Sequence, residues 1–261
     1  MIVDCHTHIY SPEGRQQDLA ERLAGQNNVD KCIVLAGPDE SSDRTNSQLA
    51  DFVSKYSQKM VGFGFSDPVR NGFNEKFITN LTEKQGLKGA VLYCSACDFH
   101  PAHTKAMRLY GLAQEASVPV FFHNGGDICP GGSLQYAQPY LLDEIAGQFK
   151  GLRIIIGNMG YPFVEQTLTM AARHPNVYAD LTVKVDRPWQ LYTTVIAAFE
   201  SGVLDKLLFG SGFPCGDAAS SIEALLGFNK RLGDTNLPTV PRDQLRKIVE
   251  RDSLQLLGIS L

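Results

Sequence analysis

Three histidines set the chemical question. In MIVDCHTHIY, His6 and His8 are separated by a single threonine, and in VPVFFHNGG an apolar run ends on His123. Residues two apart on a strand project to one side of the pleat, so His6 and His8 face together and Thr7 faces away. Neutral imidazole is a common Zn²⁺ ligand, and two at this spacing can share one ion. A histidine ending a buried strand needs a polar partner. If His123 reaches the same place, the three form a site for one divalent metal, expected to be zinc. Asp4 is expected to brace the first two histidines from behind, as metal-bound imidazoles commonly require.

A second set, Cys94, Cys97, His100 and His103, also follows a ligand grammar. Four ligands crowded into so short a segment leave little chain to wrap an ion, so an ordinary loop is the expectation. Cys32 sits in an apolar run and is expected in the core.

The histidines need elements to aim them. Short apolar, β-branched runs begin near Ile2, Lys31, Met60, Lys88, Pro119, Arg153, Val177 and Lys206. Segments with helical spacing, such as SQLADFVSKYSQ, TKAMRLYGLAQEA and VEQTLTMAARH, lie between them, at roughly 30 residues per unit. Eight such units predict a (β/α)₈ TIM barrel, an α/β fold spanning residues 1–261 as one domain. The competing doubly wound sheet would call for a G-x-G-x-x-G turn after an early strand, and none is present. Barrel chemistry stands at the C-terminal ends of the strands, where His6, His8 and His123 fall. RDQLRKIVERDSLQLLG reads as one final helix, and His174 as a helix-end residue facing solvent.

Composition narrows the function classes. With 43% hydrophobic and 20% charged residues in 261, the chain can bury a sizeable core. A net charge of −4 and the lack of a basic run give nucleic acid no footprint. No apolar run approaches a membrane span, and no leader pattern opens the chain, so a cytoplasmic location is expected. Six cysteines without a dense repeated spacing are expected to be free thiols.

Taken together, IVDCHTHIY, LKGAVLY, VPVFFHNGG, GLRIIIGNMGYPF, NVYADLT and KLLFGSGFP resemble the amidohydrolase superfamily. The likeness is to its amidohydrolase-2 branch, metal-dependent TIM-barrel hydrolases and decarboxylases related to aminocarboxymuconate semialdehyde decarboxylase. It implies one divalent metal held by histidines of the first and fifth strands and an aspartate of the eighth, with a histidine of the sixth assisting catalysis. It also implies a small-molecule substrate and allows a homodimer. Two positions depart from the pattern: Asn158 stands for the sixth-strand histidine and Gly212 for the eighth-strand aspartate. Asparagine can hydrogen-bond a substrate but cannot shuttle a proton at neutral pH. Glycine can neither ligate nor accept a proton. The fourth strand offers Val91 and Tyr93 and no added lysine, which argues against a lysine-bridged pair of metals.

Asp217, in GFPCGD, can carry a carboxylate back toward the mouth as catalytic group or ligand, or cap the helix that follows. Cys215 can serve as a thiolate ligand or stand exposed. Asp180 is expected to line the site or to be structural. Three functions follow: a metal-dependent hydrolase of a small carbonyl or carboxylate compound, a non-oxidative decarboxylase, or a catalytically degenerate barrel that binds a small molecule or partner. New chemistry at Cys215 or Asp217 is a weaker fourth.

Overall fold

The β-branched and aromatic runs become strands, and their order in space is their order in the chain. The computed structural model describes residues 1–10, 14–70, 75–123 and 132–260. β1 (Val3–Thr7), β2 (Lys31–Leu35), β3 (Met60–Phe65), β4 (Gly89–Leu92), β5 (Val120–Phe122), β6 (Ile154–Ile156), β7 (Val177–Asp180) and β8 (Leu207–Leu208) pair in parallel, each with its sequence neighbour. Every residue of β1, β3, β4, β5 and β6 is buried. That is the pattern of a parallel sheet covered on both faces, and it explains why the strands read as continuous apolar runs.

The sheet closes on itself beside the histidines. The Cys5 N–H donates to the Phe209 carbonyl at 2.8 Å, the His8 N–H to the Phe213 carbonyl at 2.8 Å, and the Gly212 N–H to the His6 carbonyl at 3.0 Å. The register of β1 against β2 shifts between Asp4 and Thr7, at the stretch that carries His6. Such irregularities re-aim side chains next to functional sites.

Helices α1 (Gln16–Ala24), α2 (Ser42–Lys55), α3 (Phe77–Thr79), α4 (Thr104–Glu115), α5 (Asp143–Gln148), α6 (Val164–Arg173), α7 (Pro188–Glu200), α8 (Ala218–Leu226), α9 (Arg242–Glu250) and α10 (Ser253–Leu256) fill the connections. Local chemistry sets several starts. Ser41 accepts from the Arg44 N–H ahead of α2, and His103 accepts from the Lys105 N–H ahead of α4. Cys32 is buried in the core, and the described cysteines are free thiols. No helix among the described residues is long and apolar enough to cross a membrane.

Two local expectations are corrected. The final helix is two, α9 and α10. Arg251 leaves the helical path so that its guanidinium reaches the carbonyls of Asp205 and Leu207, each at 2.7 Å, and Asp252 then caps α10 by accepting from the Gln255 N–H. Those carbonyls at the foot of β8 would otherwise lack a partner from this segment, which offsets the break in helical bonding. His174 does not face solvent. Its Nε2 lies 2.7 Å from Asp143 Oδ1, and the side chain is 12% exposed.

Candidate metal centre

β1 carries His6, His8 follows directly after its last residue, and β5 delivers the third imidazole directly after Phe122. The Nε2 atoms of His6 and His8 are 3.1 Å apart, those of His6 and His123 3.1 Å, and those of His123 and His8 3.3 Å. All three side chains are buried. Nitrogen ligands about 2.0–2.1 Å from a tetrahedral zinc stand roughly 3.3–3.4 Å from one another, so the triangle has nearly the size an ion needs.

The partners behind the rings determine where their lone pairs point. His6 Nδ1 lies 2.5 Å from Asp180 Oδ2, and His8 Nδ1 lies 3.2 Å from the Leu35 carbonyl. A carboxylate and a carbonyl only accept, so each Nδ1 carries a proton, and the form of each ring that binds a metal turns an Nε2 lone pair inward. Burial, then the neighbouring charge of His6, lowers the His8 pKa to about 3. Burial likewise holds His123 well below the ordinary imidazole value, with His6 and His8 adding to it. Lone pairs brought this close repel unless positive charge lies between them. A divalent ion supplies that charge in full, so the donor set fits a metal.

His123 is held mainly by stacking. The Tyr93 ring lies 4.6 Å from it at 26°, and the Tyr93 hydroxyl is anchored on the Ala36 carbonyl. Among the described residues the His123 Nδ1 has no hydrogen-bond partner.

The brace behind His6 is Asp180, at the end of β7. Besides His6, its carboxylate accepts from the Thr182 hydroxyl at 2.5 Å, the Thr182 N–H at 3.0 Å and the Asn158 N–H at 3.0 Å. Burial would raise its pKa, but the charge and hydrogen bond of His6, with those of Thr182 and Asn158, keep it below the ordinary carboxylate value. Space for it comes from Gly210, where an added Cβ would stand 2.1 Å from Asp180 Oδ1. The expected brace, Asp4, does not touch an imidazole. It lies beneath them and accepts the backbone N–H groups of Ser211 at 2.9 Å and His6 at 3.3 Å. Its isolation in the barrel raises its pKa to about 6, with burial as the main cause and the Ser211 bonds opposing it.

Asn158 follows β6 in a left-handed turn, with φ 52° at Asn158 and 53° at Met159. Asparagine tolerates that region better than most residues, and here it turns its N–H onto Asp180. Gly212 has φ +69°, and an added Cβ there would stand 2.9 Å from Thr182 Cγ2. Among the described residues no carboxylate or thiolate joins the three imidazoles as a further ligand.

A cleft of about 510 Å³ reaches His6, passing Asn158, Thr182 and Gly212, with Lys184 and Arg187 on its wall. Asp217 and the exposed Cys215 also border it. Asp217 is at the same time the N-cap of α8: its carboxylate accepts the Ser220 N–H at 3.0 Å and the Ser220 hydroxyl, and these bonds hold its pKa below the usual range. Cys94, Cys97, His100 and His103 do not gather. His100 and His103 each accept a nearby backbone N–H, as in an ordinary loop. Sequence reasoning did not find the roles of Thr182, Lys184 and Arg187. Their common signal is position, directly after the seventh strand at the barrel's functional end.

Comparison with known proteins agrees with this architecture. The family model described as amidohydrolase (amidohydrolase-2) matches residues 3–259. No curated protein matches the chain in sequence. Among solved structures, a probable 2-pyrone-4,6-dicarboxylic acid hydrolase from Acinetobacter baumannii, with citric acid bound, is 14% identical over 99% of both chains at a TM-score of 0.67. The 2,6-dihydroxybenzoate decarboxylase from Rhizobium is 15% identical over 98% of both, at 0.65. A 5-carboxyvanillate decarboxylase from Novosphingobium aromaticivorans, with bound manganese, is 13% identical over 99% of this chain and 97% of the other, at 0.65. At these identities the likeness is one of fold.

Proposed function

This chain belongs to the amidohydrolase family, and from that premise we propose that it is a metal-dependent hydrolase of a small carbonyl or carboxylate compound. His6, His8 and His123 would hold one divalent ion, Zn²⁺. The observation that carries this is the convergence of three buried Nε2 atoms within 3.1–3.3 Å, two of them with their tautomer set by an acceptor behind the ring. When bound, the ion supplies Lewis-acid polarisation of a carbonyl or activation of a water.

The chain's own groups divide the remaining work. Asp180 keeps His6 oriented, with the proton on Nδ1. The Asn158 carboxamide, at the cleft, can donate to or accept from a substrate oxygen and so orient it. Lys184 and Arg187 give the wall cationic groups suited to a carboxylate. Asp186 and Asp217 are the carboxylates on the wall that could take a proton, and the bonds from Ser220 make Asp217 a weak base.

That weak base favours a second reading, a non-oxidative decarboxylase, in which no water has to be activated. The hydrolase and decarboxylase among the structural neighbours are compatible with either chemistry. Metal analysis of the purified protein tests the common premise. About one equivalent of metal is expected, falling on His6→Ala and His123→Ala. A content below about a tenth of an equivalent, unmoved by those variants or by added Zn²⁺, would remove the metal. A panel of esters, lactones, amides and aromatic carboxylates then separates hydrolase from decarboxylase. No histidine-dependent turnover of any of them would favour the degenerate binding barrel.

A further inference from the structure

The described residues bring three neutral ligands to the ion and no anionic one. The position after β8 that could supply a carboxylate is Gly212, and among the described residues beyond its chain neighbours only Thr182 Cγ2 stands within 4 Å of where its Cβ would be. The buried carboxylates of Asp180 and Asp4 stand behind and beneath the rings, Asp180 on the Nδ1 side of His6, and neither joins the three Nε2 atoms as a ligand. A loaded site would therefore have, among the described residues, no anion in direct contact with the ion, at the end of a cleft where charge is less screened than in bulk water. Lys184 and Arg187 stand on the same wall, Lys184 with its Nζ 5.9 Å from the Tyr161 ring centre. Asp186 and Asp217 also border the cleft, so the wall alone is close to neutral and the attraction for an anion arrives with the ion.

We propose that this cleft is an anion subsite, in which a small carboxylate seated against Lys184 and Arg187 supplies the negative charge that the chain omits at Gly212, so that ion and carboxylate bind cooperatively. The inference rests on the three-histidine metal reading. It narrows the substrate to compounds bearing a carboxylate, and it predicts that the metal-free protein has little affinity for them. Reciprocity follows: whatever factor the anion adds to metal affinity, the metal adds to anion affinity.

The test is calorimetric titration of the full, chelator-stripped chain with Zn²⁺, alone and in saturating benzoate, with benzamide as the uncharged isostere. Benzoate is expected to tighten Zn²⁺ binding about tenfold or more and benzamide to leave it unchanged. Zn²⁺ loading should tighten benzoate by the same factor. The double variant Lys184→Gln, Arg187→Gln should lose most of the benzoate increment. Zn²⁺ binding that benzoate does not alter would overturn the inference and leave the metal reading standing. An equal gain with benzamide, or a full increment in the double variant, would also overturn it. Failure to bind Zn²⁺ under either condition would bring down the metal reading itself.

Discussion

Asp180 Oδ2 lies 2.5 Å from the Nδ1 of His6, joining the end of β7 to the end of β1. The contact orders both partners: it fixes the imidazole tautomer, and three further donors fix the carboxylate. Asp180→Asn keeps the size of the side chain but replaces one acceptor oxygen with a donor. Zn²⁺ affinity measured by competition with a chelator is expected to fall about 10–100-fold. An unchanged affinity would show that the pairing does not serve the metal.

Gly212 marks a second relationship, with Thr182. A side chain at position 212 must adopt φ near +69° and place its Cβ 2.9 Å from Thr182 Cγ2. Gly212→Asp is therefore expected to lose about 1–3 kcal/mol in urea denaturation, from backbone strain and the contact together. Adding Thr182→Ser removes the offending methyl and should recover part of the loss. If Gly212→Asp alone is as stable as the parent, the position can take the aspartate and its absence has no steric reason.

The buried imidazoles predict a pH dependence for the metal-free protein. His8 has a folded pKa of about 3 against an ordinary 6.5, so between these values the unfolded chain binds the extra proton. Stability contributed by this group is present above about pH 6.5 and is lost as pH falls toward 3. Asp4, raised to about 6 from 3.8, has the opposite sign: its folded form holds the proton, and its contribution is lost as pH rises through that window. The two partly cancel near pH 4–6, so the parent alone cannot isolate His8. Subtracting a His8→Gln variant can. The difference in unfolding free energy between parent and variant should change by up to about 1.4 kcal/mol per pH unit over pH 5–6, the parent gaining as pH rises. A difference that stays flat would mean that His8 does not stay neutral in the fold.

Much of the architecture was legible in the residues themselves. Eight largely apolar runs recurred at an even spacing, and each became a strand within a residue or so of where its run begins, because a parallel strand buried on both faces is mostly apolar, Asp4 and His6 of β1 being polar residues of the site. Alternation along β1 put His6 and His8 on one side, and the barrel's polarity put His123 at the same end. The departures at Asn158 and Gly212 could also be read without a structure, since they are matters of residue type. The closing of the barrel decided the rest. Asp4 shares a face with His6 along the strand, so local reasoning chose it as the brace, but Asp180 reaches Nδ1 because curvature brings β7 across to β1 over the side chain that Gly210 lacks. Arg251 broke the last helix for carbonyls at the foot of β8 that only the fold brings within reach. Sequence periodicity records which face a residue shares with its own neighbours. Which distant carboxylate, carbonyl or cation meets that face depends on how the sheet curls, and that information lies in the tertiary structure alone.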